Sequence, residues 1–145
     1  MMFLLDTNVV SELRKAYPPR RGPAKIDRYV AAWIGSVPPT SLHISAISVL
    51  ELEIGCLLLE RRDPVQGQTL RRWLRDYVMP AFATRTLPVD AVVAQKCAAL
   101  HVPDPMDDRD SLIAATALVH GMTVVTRNVA HFQRTSVALL NPWQP

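Results

Sequence analysis

The sequence has no apolar run that approaches the roughly 20 residues needed to cross a bilayer, so we expect no membrane-spanning helix. Its first residues, from Met1 to Asp6, lack a basic segment and soon reach a carboxylate, which is unlike a secretory signal peptide. Its two cysteines, Cys56 and Cys97, lie in apolar helical contexts and cannot form a disulfide framework. These absences predict a cytoplasmic protein with buried thiols and no attachment to membranes.

Histidine and lysine are also scarce. The four histidines have no spacing typical of zinc ligands, and the two cysteines are far apart, so zinc is not expected. Only three of the sixteen basic residues are lysine, and the other thirteen are arginine, of which seven are grouped at Arg20–Arg21, Arg61–Arg62, Arg71–Arg72 and Arg75. Arginine matches phosphate geometry with its planar guanidinium. The grouping is therefore consistent with binding a polyanion or with a solvated basic surface.

What the chain does contain is enough apolar sequence for one core. It has 145 residues, of which 49% are hydrophobic, and it shows no internal repeat, linker or low-complexity tract. A chain of this size typically closes one domain without disulfides or a structural metal. We therefore predict a single domain spanning residues 1–145.

Hydrophobic periodicity predicts short strands alternating with helices. The strands are predicted at residues 3–5, 42–44, 86–87, 122–126 and 137–140. Helices are predicted at residues 9–15, 24–33, 46–62, 66–78, 90–100 and from 107 or 108 to 120, with loops at 17–23 and 101–105. This alternation indicates an α/β fold, a parallel sheet of about five short strands flanked by helices on both faces.

Polar residues follow two of these strands. Asp6 comes directly after the first strand, and Thr126, Arg127 and Asn128 come after the fourth. Ligands of open parallel sheets bind beyond the carboxyl ends of the strands. Both polar clusters are therefore predicted at one edge of the sheet.

Glu51 is the first acid that looks misplaced. It shares a helix face with Ile47, Ile54 and Leu58, in a helix that is apolar nearly all round and is predicted to be buried. Glu53, aligned with Glu60, is predicted on the solvated side. A carboxylate on an apolar face costs several kcal/mol unless it is paired or metal-bound. The alternative to a metal ligand is a buried ion pair with an arginine.

Asp110 repeats this pattern on a later helix. Its neighbours at helical spacing are Ile113, Ala114 and Ala117, so it is predicted to point towards the core. Asp107 is predicted as the helix cap, one turn away and able to contribute a water-mediated contact, and Asp108 as a solvated residue. Each of these residues has an alternative role: Asp110 as a first-turn acid, Asp6 as an N-cap and the amide Asn128 as a turn residue.

Taken together, these acids are better explained by one shared site. Clustered carboxylates repel each other, and without a cation one of them would take up a proton. A divalent cation with oxygen ligands removes that penalty, which favours Mg²⁺ or Mn²⁺.

Four ordered motifs and a short tail resemble the PIN-domain ribonucleases, within them the VapC toxins of bacterial toxin–antitoxin pairs, and especially the FitB-like branch. The motifs are LLDTNVVSE at 4–12, ISVLEL at 47–52, DSLIAATA at 110–117, VVTRN at 124–128, and the tail NPW at 141–143. Nearly the whole chain is covered. The resemblance implies a PIN-like domain that cleaves RNA such as transfer RNA, forms a homodimer and is inhibited by a small VapB-like antitoxin.

The resemblance also assigns roles to residues. It implies that Asp6, Glu51 and Asp110 hold the metal, with Asn128 in a fourth position where many relatives have aspartate. Asparagine supplies a neutral oxygen, so a second metal ion is left open. Thr7 and Thr126 are implied to support the carboxylates.

Function follows as a prediction. We expect a Mg²⁺-dependent endoribonuclease, the toxin of a type II toxin–antitoxin pair, with Arg127 as a candidate phosphate contact or a cap of the sheet edge. The alternative is a degenerate PIN scaffold that binds RNA or a protein without cutting. A haloacid-type phosphatase is disfavoured because position 8 is asparagine, and a phosphoryl-accepting receiver because no lysine follows a late strand.

Overall fold

The computed structural model describes residues 1–17 and 25–145, so nearly all of the predicted loop at 17–23 and the predicted helix start at residue 24 lie outside the described residues. The sheet has five strands in the order β3-β2-β1-β4-β5, and every pairing is parallel. Its strands are β1 Phe3–Leu5, β2 Leu42–Ser45, β3 Thr86–Leu87, β4 Thr123–Val125 and β5 Leu139–Leu140. The α/β fold and its five short parallel strands are confirmed.

Helices surround this sheet. They are α1 Thr7–Leu13, α2 Arg28–Ser36, α3 Ala46–Arg62, α4 Pro64–Trp73, α5 Met79–Ala81, α6 Ala91–Leu100 and α7 Asp108–His120. A 3₁₀ turn at Arg14–Ala16 extends α1, and a π-helical segment at Leu74–Val78 joins α4 to α5. Among the described residues, none of these helices combines the length and the apolar character needed to span a bilayer.

Alternation along β1 divides the core between the two faces of the sheet. Phe3 and Leu5 pack with Trp73 on one face, whereas Leu4 packs with Ile113 on the other. Successive side chains of a strand point to opposite faces, and a central parallel strand is covered on both. The central position of β1 therefore fixes where its carboxyl end, and Asp6 behind it, must lie.

Polar caps define where the helices begin. Ser45, Asp90 and Asp107 each accept a hydrogen bond from a first-turn amide of α3, α6 and α7, which satisfies donors that lack intrahelical partners. The predicted caps at Ser45 and Asp107 are confirmed. Gly121 ends α7 in the left-handed conformation, with φ of 66°, as its position after the last periodic residue predicts.

The predicted start of α2 was wrong by four residues. Asp27 accepts hydrogen bonds from the amides of Tyr29 and Val30, so α2 begins at Arg28. The helix predicted at 66–78 also begins earlier, at Pro64, because Asp63 caps it and proline is well suited to a first helical turn.

The expected burial of α3 was also wrong. Leu50, Leu57 and Leu58 are 45%, 56% and 63% exposed, so part of its apolar surface faces outwards. Glu53 and Glu60, predicted to be solvated, both pair with the Arg71 guanidinium of α4, Glu60 at 2.8 Å. Periodicity within one helix did not reveal the second helix that packs beside it.

Close packing between α3 and α4 generates a stability prediction. A β carbon at Gly67 would lie 2.6 Å from the backbone nitrogen of Glu60 and closer still to its Cα, whereas one at Gly55 would have no neighbour within 4 Å. Gly67→Ala should therefore destabilise the protein by about 1–3 kcal/mol through overpacking. Gly55→Ala, the control, should stabilise it by about 0.5–1 kcal/mol through helix propensity. Urea unfolding measures both, and equal effects would contradict the packing argument.

Candidate active site

Asp6 lies at the carboxyl end of β1 and caps α1. Its Oδ1 accepts a hydrogen bond from the Thr7 amide at 2.8 Å, and its Oδ2 accepts one from the Thr126 hydroxyl at 2.8 Å. The side chain is only 6% exposed. Asp6 is therefore the N-cap of α1 and at the same time a buried carboxylate at the predicted sheet edge.

Glu51 reaches the same edge from the second turn of α3. The Thr7 hydroxyl donates to its Oε1 at 2.8 Å and is itself hydrogen bonded to the Ser48 hydroxyl at 2.9 Å. Arg109 Nη1 lies 3.8 Å from Glu51 Oε2, and the Arg109 side chain is half exposed. The arginine that lies beside Glu51 is therefore not deeply buried, and its contact with Glu51 is long.

Asp110 approaches from the first turn of α7. Its backbone amide donates to Asp107 Oδ1 at 2.9 Å, and its Oδ2 lies 3.3 Å from His131 Nδ1. The Asp110 carboxylate is about a quarter exposed, whereas Asp108 is 92% exposed, as predicted. Asp107 therefore acts as the cap, and its predicted water-mediated contact to a metal stays a prediction.

Thr126 connects the residues that follow β4 with those that follow β1. Besides donating to Asp6, its hydroxyl accepts the Asn128 amide at 3.0 Å and lies 3.3 Å from Asn8 Nδ2. Asn8 Oδ1 in turn accepts the Arg127 amide at 3.3 Å. Asn128 is exposed and contributes its backbone to this network, so the predicted fourth-ligand role of its side chain stays a prediction.

Arg127 lies on the outer side of this network. Its guanidinium stacks over the Trp143 ring, with 5.3 Å to the ring centroid. This contact holds the side chain beside the sheet edge, while the Arg127 amide is tied to Asn8. The charge remains exposed, which is compatible with either predicted role.

The pKa values of Asp6 and Asp110 are both raised above the ordinary value, mainly by burial. Burial raises the pKa of Asp6, against the opposing effects of its hydrogen bonds to Thr126 and Thr7 and the charge of His131. Burial also raises the pKa of Asp110, and the negative charges of Asp107, Asp6 and Glu51 raise it further. Asp110 is thus close enough to Asp6 and Glu51 to be repelled by both.

The donor set fits a hard divalent cation. Asp6 is buried, and within residues 1–17 and 25–145 no lysine or arginine forms an ion pair with it. A buried, ionised carboxylate needs such a partner, and oxygen donors are those that Mg²⁺ and Mn²⁺ prefer. Within residues 1–17 and 25–145, however, no three carboxylate, imidazole or thiolate groups converge closely enough to hold an ion. Convergence on a single cation therefore stays a prediction.

Several residues around the acids were not predicted from the sequence. Asn8, Ser48, Arg109 and His131 all contact the acids or their supporting hydroxyls. Arg109 stands next to Asp110 and Asn8 two residues after Asp6, so proximity along the chain offered a signal for these two. His131 gave none, because a 3₁₀ turn at Val129–His131 brings it to α7.

Fold and site together define a small α/β domain with an acidic carboxyl edge. The PIN domain family model matches residues 3–137, and the chain belongs to the PIN-domain family.

Individual relatives cover nearly the whole chain. The sequence is 37% identical to VapC ribonuclease Y4jK of Sinorhizobium fredii over 99% of both chains. It is 36% identical to toxin FitB of Neisseria gonorrhoeae, covering 98% of this chain and 99% of FitB. The FitAcB crystal structure from Neisseria gonorrhoeae matches with a TM-score of 0.83 and 36% identity, over 99% of this chain and 100% of that one.

Burial of Asp110, together with the negative charges around it, predicts a pH-dependent loss of stability. Since its pKa is raised above the ordinary value of 3.8, the folded state binds this proton more tightly than the unfolded state does. Stability from this group therefore falls as pH rises through the window between 3.8 and the raised pKa. In EDTA, Asp110→Asn should be more stable than the wild type at pH 7, and this advantage should shrink towards pH 3.8.

Urea midpoints measured across this range test the prediction. Asp108→Asn is the matched control, because it makes the same change two residues away at a side chain that is 92% exposed. It should bring no comparable gain. An Asp110→Asn variant less stable than the wild type at pH 7 would contradict a net cost of burying and crowding this charge.

Proposed function

We propose that the chain is an endoribonuclease, the toxin of a type II toxin–antitoxin pair, that hydrolyses RNA phosphodiester bonds with Mg²⁺ or Mn²⁺. The observation that carries this proposal is geometric: Thr7 hydrogen bonds both Asp6 and Glu51 at one sheet edge, and the charges of these two acids raise the pKa of Asp110. Family membership and the names of the relatives, VapC ribonuclease and toxin FitB, support it.

Asp6 and Asp110 would hold the cation, with Glu51 contributing directly or through water. The Thr126 hydroxyl and the Thr7 amide fix both oxygens of Asp6, and the Thr7 hydroxyl fixes one oxygen of Glu51. Such hydrogen bonds orient ligating groups so that their free lone pairs face the ion. A divalent cation supplies Lewis acidity towards phosphate oxygens and water.

Two arginines at the rim suit the phosphate of the substrate. Arg109 extends beside Glu51, and Arg127 is held over Trp143, each with an exposed guanidinium. Guanidinium groups bind phosphate oxygens in a bidentate geometry. We assign Arg127 to substrate binding and add Arg109 as a second candidate.

Partners complete the proposal. The substrate is structured RNA such as transfer RNA, whose loops offer unstacked bases. A complex with a VapB-like antitoxin is proposed because solved neighbours include FitAB bound to a DNA fragment, with a TM-score of 0.84 and 36% identity. A homodimer is proposed from the resemblance to the VapC toxins alone. The exposed leucines of α3 provide an apolar surface of the kind that protein partners cover.

A non-catalytic PIN scaffold is the competing function. The lack of three converging metal-binding groups in the described residues favours it, as does asparagine at position 128. Such a scaffold would bind RNA or a partner protein without cutting. Cleavage assays separate the two functions.

Loss of either central carboxylate should abolish cleavage. Asp6→Ala and Asp110→Ala each remove a proposed ligand, so cleavage of transfer RNA and other structured RNAs should fall by more than the roughly 10–100-fold typical of losing a hydrogen-bond partner of a ligand. Asp108→Ala, at the exposed neighbour, should remain active. Gel assays in Mg²⁺ and Mn²⁺ measure the loss, and activity that persisted in EDTA would contradict the metal mechanism.

Metal binding can be tested without catalysis. A ligand that binds only the folded state stabilises it, by about 2.7 kcal/mol at a concentration of 100 times Kd. Mn²⁺ should therefore raise the melting temperature of the wild type more than that of Asp110→Asn. Differential scanning fluorimetry with and without EDTA gives both shifts, and Asp108→Asn should respond like the wild type. Equal shifts in all three proteins would place the ion elsewhere.

A further inference from the structure

A cavity opens beside Glu51, between α1, α3 and α4. It has a volume of about 190 Å³, and Thr7 and Glu51 are among the residues that line it. Leu52, Leu70 and Trp73 form its apolar wall. Trp73 Nε1 is a buried donor without a hydrogen-bond partner among the described residues, which is costly unless a bound molecule supplies an acceptor.

A second cavity, of about 280 Å³, is basic. It is lined by Arg14, Lys15 and Lys25 together with three hydroxyl-bearing residues, Ser11, Tyr17 and Thr69. Its volume is slightly below the roughly 300–1,000 Å³ of pockets for drug-sized ligands. Cationic groups and hydroxyls around a space of this size suit a phosphate group.

The two cavities share a wall. Ser11 and Arg14 line both of them, and Thr7 lies on the same side of α1, since positions i, i+4 and i+7 of a helix share a face. Seven residues of helix span roughly 10 Å, which is the length of about three stacked nucleotides at 3.4 Å each. A single surface therefore leads from the carboxylates to the basic cavity.

The charges of the basic cavity are available to a ligand. Lys15 donates to Glu12 at 2.9 Å, and Glu12 is buried and also accepts the Asp27 amide, so this lysine is held in place. Within residues 1–17 and 25–145, the ion pairs of the structure include neither Arg14 nor Lys25. These two cations therefore carry the net positive charge of the cavity.

We propose that Arg14 and Lys25 bind a backbone phosphate of single-stranded RNA a few nucleotides from the phosphate at the carboxylates. The inference rests on the proposed function, because it takes RNA as the ligand of the adjoining site. An acidic peptide would also suit the basic cavity, but it would not require a continuous surface ending at the acids. RNA accounts for both ends, since one strand presents successive phosphates and unstacked bases.

The test measures RNA binding without cleavage. Fluorescence anisotropy in EDTA gives the affinity of the full chain for a short labelled single-stranded RNA between about 50 and 200 mM salt. Log K falls linearly as log salt rises, and removing one protein–phosphate interaction reduces the magnitude of this slope by about 0.7 for single strands. Arg14→Gln with Lys25→Gln should lower it by about 0.7 to 1.4, whereas Arg14→Lys, which keeps the charge, should retain the wild-type slope.

Arg61→Gln with Arg62→Gln is the matched control, because it removes the same charge from exposed residues that line neither cavity. An unchanged slope in this control, with the drop in the cavity variant, supports the proposal. Equal drops in both variants would overturn it, as general electrostatics would explain them. A cavity variant that bound RNA with the wild-type slope but had a weaker affinity for a glutamate-rich peptide would overturn it in favour of a protein ligand.

Failure of the proposed function has a different signature. If the wild type cut no RNA while the cavity variant still lowered the slope, the phosphate site would stand and the nuclease proposal would fall. If the wild type cut RNA and the cavity variant bound it with an unchanged slope, only the phosphate site would fall. Thermal melting of each variant confirms that the comparison is made between folded proteins.

Discussion

The hydrogen bond between Asp6 and Thr126 is the contact on which the site depends. It joins the carboxyl ends of the central strands β1 and β4, and the Thr7 amide occupies the other oxygen of Asp6. Burying a carboxylate without such partners would cost several kcal/mol. Because both oxygens are held, the orientation of the carboxylate is set by the sheet and by α1 together. Asp6 can therefore cap α1 and, as proposed, also bind a cation.

Repulsion among the acids is the cost of bringing them to one edge. Asp110 faces the charges of Asp107, Asp6 and Glu51, and only His131 opposes them among the groups that shift its pKa. A site that binds a cation must tolerate this arrangement in the free protein, which is a common origin of trade-offs between stability and activity. The tightly packed α3–α4 pair, clamped by Arg71 between Glu53 and Glu60, lends stability away from the acids.

Patterns within each segment predicted most of the strands and helices, but they did not predict the contacts between segments. The limits of β1, α3 and β3, as well as the caps at Ser45 and Asp107, follow from short patterns that depend on neighbouring residues. Glu51 and Asp110 were found because each lies on the apolar face of its own helix, and Asp6 was found because it directly follows a strand. The exposed side of α3 and the pairing of Glu53 were not found, because apolar periodicity does not say which neighbour covers a face. His131 was missed because its contact with Asp110 joins segments that share no periodicity.

Charge is distributed along α1 in the direction that its own dipole favours. Asp6 caps the amino end, whereas Arg14 and Lys15 lie in the turn that closes the carboxyl end. Acidic side chains are stabilising near the amino end of a helix, and cationic side chains are stabilising near its carboxyl end. The same effect that stabilises this short helix thus separates the end proposed to bind a cation from the end proposed to bind a phosphate by roughly 10 Å. An RNA strand lying along it would meet positive charge beyond the acids, which offsets the repulsion that a carboxylate cluster exerts on phosphate. The helix dipole and the proposed placement of RNA therefore both favour acidic residues at the amino end of α1 and basic residues at its carboxyl end.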